Sequence, residues 1–154
     1  MFKSFLNYIQ YLKIPNKEDK IFFFSEGGNS WNFIKHLYLE FCKSNDKIYY
    51  LTSSLDEYNQ INYKFDNVIF IGEGVIRTIC LNSLKGKSII TTTPDLDVYY
   101  WKKSPFVKYY IYLFHSLGSI NLIYNEKAFD SYDLIMCCNE HQYIELDKRK
   151  KNLN

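Results

Sequence analysis

A histidine with small polar neighbours follows one of the most apolar stretches of the chain. His115 comes after the run Tyr109–Leu113, within "YLFHSLGS", and Ser116, Gly118 and Ser119 follow it. An imidazole with a pKa near its ordinary value of about 6.5 can take a proton from a hydroxyl group at neutral pH. We therefore predict His115 as a general base, with Ser116 and Ser119 as ligand-binding residues. The alternative is a histidine that only packs at the end of a strand.

A second polar stretch, "SEGGNS" over residues 25–30, separates an apolar run from an amphipathic one. Its two glycines would let backbone N–H groups face a ligand at the start of a helix, where the helix dipole favours a phosphate. The predicted phosphate-binding residues are Ser25, Gly27, Gly28, Asn29 and Ser30. The alternative is a capping turn that needs its glycines for geometry, and Glu26 would repel a phosphate unless it turned away.

Acidic residues end a third apolar run, "TTTPDLD" over residues 91–97, and Asp95 is predicted to bind a ligand there. The sequence lacks the glycine pattern of dinucleotide sites, the phosphate loop of nucleotide triphosphatases and the serine elbow of hydrolases. His141 and Glu145 lie one helical turn apart, but on a charged segment this spacing favours a solvated surface over a metal site. We therefore expect neither a metal nor a cofactor.

Short strands must position these residues, and each candidate is apolar or aromatic on both faces, as buried parallel strands are. The predicted strands are Ile21–Phe24, Ile48–Leu51, Val68–Ile71, Ser88–Thr92, Tyr109–Leu113 and Leu134–Cys138. Helical segments alternate with them, which indicates an α/β fold with a Rossmann-like, parallel, six-stranded sheet and helices on both faces. Right-handed crossovers then predict the strand order 3-2-1-4-5-6, with the carboxyl ends of the strands at one edge.

The clearest helix follows the first polar loop, because Ile34, Leu37, Tyr38 and Phe41 recur at helical spacing and Ser30 can cap them. Weaker helical patterns predict further helices at about residues 55–63, 75–84, 97–103, 121–129 and 140–150.

The composition is that of one globular domain: 47% of the 154 residues are hydrophobic and the formal net charge is +2. So weak a charge predicts no nucleic-acid partner. Cysteines at positions 42, 80, 137 and 138 lack metal-site spacing, which favours reduced, structural thiols.

Residues 1–15 are predicted to form an amphipathic helix ahead of a domain over residues 20–150. The apolar residues at helical spacing are Phe2, Phe5, Leu6, Ile9 and Leu12. This helix could pack on its own domain or lie on a membrane surface. No stretch reaches the roughly 20 apolar residues needed to span a bilayer. The reduced cysteines predict a cytoplasmic protein, with the inner face of the cell membrane as an alternative location.

Several unusual strings recur together and in order over about residues 20–145. They are "FFFSEGGNSW", "YYLTSS", "IGEGVIRT", "TTTPDLDVYYWKKS", "YLFHSLGS" and "AFDSYDLIMCCNEH". In these strings the chain resembles the CDP-glycerol glycerophosphotransferase family, the enzymes of teichoic-acid-like polymer synthesis. The resemblance implies a GT-B-type enzyme of two Rossmann-like lobes, in which the N-terminal lobe carries the acceptor side and a histidine base. His115 matches that histidine, whereas Ser116 stands where many members have glycine.

The resemblance implies that this chain is the N-terminal lobe of a transferase that moves glycerol phosphate from CDP-glycerol to a hydroxyl group. The implied partners are CDP-glycerol, held mainly by a nucleotide-binding lobe absent from this chain, and a polyol-phosphate or glycan acceptor on a cell-surface polymer or its lipid-linked primer. The chain alone is then expected to be inactive. The other interpretation is a non-catalytic Rossmann-like module, or a truncated remnant, that binds a phosphorylated ligand or a partner.

Overall fold

A six-stranded parallel sheet forms the centre of the protein, seen in a computed structural model that describes residues 9–44 and 47–152. The strands are β1 (Ile21–Ser25), β2 (Ile48–Thr52), β3 (Val68–Phe70), β4 (Gly86–Thr91), β5 (Val107–Leu113) and β6 (Leu134–Met136). Their order is β3-β2-β1-β4-β5-β6, and every neighbouring pair is parallel. The predicted Rossmann-like sheet and its strand order are therefore confirmed.

Helices lie on both faces of the sheet. They are α1 (Ser30–Ser44), α2 (Leu55–Ile61), α3 (Gly74–Asn82), the one-turn α4 (Ile120–Ile123) and α5 (Glu140–Asn152), and Lys17–Asp19 forms a 3-10 turn before β1. One core joins Ile34 and Tyr38 of α1 to Phe23 of β1, and the other joins Phe22 and Phe24 of β1 to α3. These three phenylalanines have no exposed surface, which explains why β1 is apolar on both faces.

The predicted helix over residues 97–103 is wrong, because this segment is a loop in the structure. Asp95 and Asp97 adopt left-handed backbone conformations, with φ of 63° and 67°. The Asp97 carboxylate accepts a hydrogen bond from the Lys103 backbone N–H, at 2.8 Å, and the Asp97 N–H donates to the Trp101 carbonyl. Such local bonds offer the backbone an alternative to a helix.

The predicted helix over residues 121–129 is reduced to the single turn of α4. Tyr124 is extended, with ψ of 145°, and ends the helix. The Arg149 guanidinium of α5 donates to the carbonyl oxygens of Ile120, Tyr124 and Asn125. Carbonyl groups at a helix end need such donors, and here another helix supplies them.

Residues 9–12 are helical, and the chain that follows packs against the domain. Tyr11 and Ile14 are 2% and 6% exposed and belong to the core on the α3 side of the sheet. The Tyr11 hydroxyl accepts a hydrogen bond from the Lys85 backbone N–H, at 2.9 Å. The rest of the predicted N-terminal helix, residues 1–8, lies outside the described residues, so its contact with a membrane stays a prediction.

Candidate functional site

His115 lies at the carboxyl edge of the sheet, just beyond the end of β5. Leu113 packs on the α1 side and Phe114 on the α3 side, so the alternation of the strand turns His115 toward α1. The Phe33 ring, in the first turn of α1, contacts the imidazole with ring centroids 5.3 Å apart. The ring is partly accessible, and α1 forms one wall beside it.

The two nitrogens of His115 differ in their surroundings. Nδ1 is buried and has no hydrogen-bond partner among the described residues. Nε2 is not among the buried unpartnered atoms, and no described group bonds to it, so it is the nitrogen that a ligand can reach. Burial lowers the pKa of His115 below its usual 6.5. The imidazole is therefore neutral at pH 7, the state in which it can accept a proton.

The loop after His115 is held by α5. The Gln142 side chain donates from Nε2 to the Ser116 carbonyl at 2.6 Å, and the Ser116 hydroxyl accepts from the Gly118 N–H at 3.1 Å. Gln142 is itself almost fully buried. Gln142 was not predicted, because a glutamine in a charged helix has the pattern of a surface residue. Ser116 as a ligand-binding residue stays a prediction.

Ser119 is tied to α5 by a carboxylate. The Ser119 hydroxyl donates to Glu145 Oε1, and the Ile120 N–H donates to Oε2, both at 2.6 Å. The bond from Ser119, with help from Ile120 and from His141, lowers the pKa of Glu145. Because the hydroxyl proton of Ser119 is already donated to Glu145, a ligand could only donate a hydrogen bond to the Ser119 oxygen. The role of Ser119 in binding stays a prediction.

The polar loop after β1 surrounds a buried glutamate that sequence reasoning did not select. Glu57 of α2 is 3% exposed and accepts hydrogen bonds from Ser25 Oγ at 3.1 Å and from Thr52 Oγ1 at 2.5 Å. Its Oε1 also accepts from the Trp31 backbone N–H, at 3.1 Å, at the start of α1. A carboxylate of the protein itself therefore occupies part of the helix terminus where we predicted a phosphate.

Burial next to Glu57 also keeps a tyrosine uncharged. Desolvation, reinforced by the negative charge of Glu57, raises the pKa of the Tyr50 hydroxyl far above its usual range. Tyr50 is fully buried in the core on the α1 side. It therefore contributes packing and a neutral hydroxyl at any physiological pH.

The two loop glycines have positive φ angles, 101° at Gly27 and 68° at Gly28. A Cβ atom at Gly27 would lie 2.3 Å from Cβ of Ser54, whereas nothing lies within 4 Å of one at Gly28. Ser30 Oγ donates to the Gly27 carbonyl at 2.9 Å, and Asn29 is exposed. The interpretation as a turn that needs its glycines for geometry thus accounts for Gly27, whereas the Ser30 hydroxyl donates to a carbonyl and in this bond caps no N–H group of α1. Phosphate binding by this loop stays a prediction, and Glu57 counts against it.

Glu26 is turned toward a cation. Its carboxylate accepts a hydrogen bond from Arg77 of α3, with 2.7 Å between Oε1 and NH1. Both side chains are partly exposed at the carboxyl edge. This pairing offsets the repulsion that a lone Glu26 would exert on an anionic ligand.

Asp95 lies at the same carboxyl edge of the sheet as His115, but on the α3 side instead of the α1 side. Its backbone N–H donates to the Ala128 carbonyl, and its Oδ1 accepts from Asn125 Nδ2 at 3.3 Å. Ala128 belongs to the core on the α3 side. The fold therefore brings His115 close to the first turn of α1. It places Asp95 on the α3 side of the sheet, away from His115, where Asp95 and Glu26 of the loop at residues 25–30 line one cavity.

Comparison of the chain with protein-family models, with curated proteins and with solved structures finds no match. Among the described residues, no group of three or more histidine, cysteine, aspartate or glutamate side chains is placed to hold a metal ion. Within that same part of the chain, every helix is too short or too polar to cross a bilayer.

Proposed function

We propose that this chain is the acceptor-side lobe of a glycerophosphotransferase, with His115 as the general base. The observation that carries the proposal is the position of His115: a partly accessible imidazole beside the first turn of α1, with no described partner for either nitrogen, at the edge of the sheet where ligands of such folds bind. Burial also lowers its pKa, which favours the neutral form at pH 7. The resemblance of the ordered strings to the CDP-glycerol glycerophosphotransferase family supports the choice of reaction.

In the proposed step His115 Nε2 accepts the proton of an acceptor hydroxyl group. The acceptor oxygen attacks the β-phosphorus of CDP-glycerol and forms a new phosphodiester bond. The bond between that phosphorus and the bridging oxygen breaks, and CMP leaves with the electron pair. The protonated imidazole then releases its proton to water, which returns the base to its starting state.

The side of the sheet that carries His115 favours a neutral hydroxyl over a phosphate. Glu57 already bonds to the N–H of Trp31 at the start of α1. The donor's phosphates therefore need cationic or backbone donors from elsewhere, which agrees with a CDP-glycerol site mainly on a second lobe. We expect the chain alone to bind CDP-glycerol weakly and to turn none over.

The test is CMP release from CDP-glycerol by the protein expressed from its complete reading frame. A general base contributes about 10²–10⁴ in rate, so His115→Ala should lower kcat by that order. His115→Asn keeps a hydrogen-bonding side chain but cannot accept the proton, so it should lose nearly as much. His36→Ala, at an exposed histidine of α1, is the matched control and should retain activity.

Thermal melts of each variant separate chemistry from folding. Near-normal turnover by His115→Ala would remove His115 as the base. Lost activity together with a lost fold would make it a structural histidine. No CMP release by the wild-type protein would favour the other interpretation, a non-catalytic module that binds a phosphorylated ligand or a partner.

A further inference from the structure

A cavity of about 320 Å³ opens at the carboxyl edge, on the α3 side of the sheet. Three elements build it: the loop after β1, the first turns of α3 and the loop after β4. Its aromatic and charged lining residues are Glu26, Arg77, Asp95, Tyr99, Tyr100 and Trp101. The proposed chemistry at His115 uses none of them.

The cavity lies at the topological switch point of the sheet. β1 and β4 are neighbours, but the chain continues from β1 to β2 on one side and from β4 to β5 on the other. Loops that leave two adjacent strands in opposite directions open a crevice between them, and ligands of doubly wound sheets bind there. Glu26 and Thr93 line the cavity from just beyond β1 and β4.

Two of the aromatic rings are held in place by the fold. The Tyr99 hydroxyl accepts a hydrogen bond from Asn125 Nδ2 at 3.3 Å, although the side chain is 59% exposed. The Trp101 ring meets Phe24 of β1 edge to face, with centroids 5.2 Å apart. Rings that are already ordered lose little entropy when a ligand packs on them.

The charges in the cavity suit hydroxyl groups better than phosphate. Glu26 neutralises Arg77, and Asp95 adds a further carboxylate, so these side chains carry a net negative charge. An anionic ligand would be repelled. Carboxylate oxygens have more acceptor sites than the single described bond to Asp95 uses, and the guanidinium keeps spare donors for a ligand oxygen.

We propose that this cavity binds a neutral saccharide, with a pyranose ring packed on Tyr99 and Trp101. One face of a pyranose exposes C–H bonds that pack on aromatic rings, while its hydroxyl groups donate to Asp95 and Glu26 and accept from Arg77. This assignment rests on the proposed function, since the cavity and His115 share one edge of the sheet. Of the two acceptors that the resemblance implies, a glycan and a polyol phosphate, the proposal favours the glycan as the part that this lobe binds.

The test is saturation-transfer NMR of the whole chain with methyl β-D-glucopyranoside, titrated to about 50 mM because a single sugar ring binds in the millimolar range. Tyr99→Ala should weaken binding at least about fivefold, since an aromatic contact is worth about 1 kcal/mol. Asp95→Asn keeps the left-handed backbone and the oxygen that bonds Asn125, so it tests the carboxylate with the fold intact. It should weaken binding by a similar factor.

Tyr63→Ala, at an exposed tyrosine beyond α2, is the matched control and should bind like the wild type. CMP and glycerol 3-phosphate should not displace the sugar. Absence of transfer to the wild-type protein, unchanged binding by Asp95→Asn, or displacement by CMP would each overturn the assignment. The experiment contains no CDP-glycerol, so its failure leaves the result for His115 untouched.

Discussion

At the scale of single residues, Glu57 joins the ends of two strands to the start of a helix. Its carboxylate accepts from Ser25 at the end of β1, from Thr52 at the end of β2 and from the first turn of α1 at Trp31. Ser54 Oγ also accepts from the Glu57 N–H at the start of α2. The carboxylate therefore stabilises the polar loop that enters α1, and all the groups around it are donors.

Replacing Glu57 should lower the free energy of unfolding. Glu57→Ala leaves two hydroxyls and the Trp31 N–H without an acceptor, at a cost of about 2–4 kcal/mol. Glu57→Gln keeps the shape but turns an N–H₂ group toward a donor, at a cost of about 1–3 kcal/mol. Urea unfolding measures both changes.

The matched control is Glu40→Gln, at an exposed carboxylate of α1 that pairs only with Lys43 among the described residues. Its change should stay within about 0.5 kcal/mol, as for most surface substitutions. A Glu57→Gln variant as stable as this control would show that the buried carboxylate contributes little.

At the scale of elements, the turn between β1 and α1 depends on its two glycines to different degrees. Gly27 combines a positive φ with close approach to Ser54 at the start of α2, whereas Gly28 has only the positive φ. The contact at Gly27 allows the loops after β1 and β2 to lie side by side, which in turn lets Glu57 reach Ser25.

Replacing each of these two glycines by alanine gives two variants to compare, because both have a positive φ and only Gly27 lies close to Ser54. Gly28→Ala should cost about 1 kcal/mol, the price of a left-handed conformation with a Cβ atom. Gly27→Ala should cost about 2–4 kcal/mol, because the new methyl group must also displace Ser54. Chemical denaturation measures both. Equal losses in the two variants would contradict the packing of the two loops.

At the scale of the whole molecule, two side chains with lowered pKa values, His115 and Glu145, make the free energy of unfolding depend on pH. Burial lowers the pKa of His115 below 6.5, so the unfolded chain binds a proton that the folded chain does not. The bond from Ser119 lowers the pKa of Glu145 below 4.5, with the same consequence at lower pH. In both windows the unfolded state binds more protons, so the free energy of unfolding falls as the pH falls.

The part of this decline below about pH 6.5 should depend on His115. In His115→Gln, the loss of stability between about pH 7 and pH 5.5 should become shallower, because no imidazole then titrates at that site. His36→Gln, which keeps His115, should retain that contribution. Urea titrations across this range measure the slopes. Identical slopes in the wild type and His115→Gln would show that folding does not lower the pKa of His115.

The amino-acid pattern by itself determined the sheet. Buried parallel strands must be apolar on both faces, so runs such as Ile21–Phe24 were recognisable without tertiary information. The strand order followed because right-handed crossovers allow few arrangements of alternating strands and helices. The position of His115 at the carboxyl edge followed too, since it comes directly after a strand. The role of His115 stays a prediction.

Only the tertiary structure decided which polar groups pair inside the protein. Glu57 and Glu145 lie in helices, where a carboxylate looks like a solvated side chain, and long-range packing brings each to hydroxyl and N–H donors. The same holds for Arg149, which bonds to carbonyl groups of α4 and of the two residues after it, where a longer helix was predicted. At residues 97–103, where another helix was predicted, Asp97 has a left-handed backbone conformation and the segment is a loop. Local propensity is worth about 1 kcal/mol per residue at most for such residues, so contacts between distant segments override it.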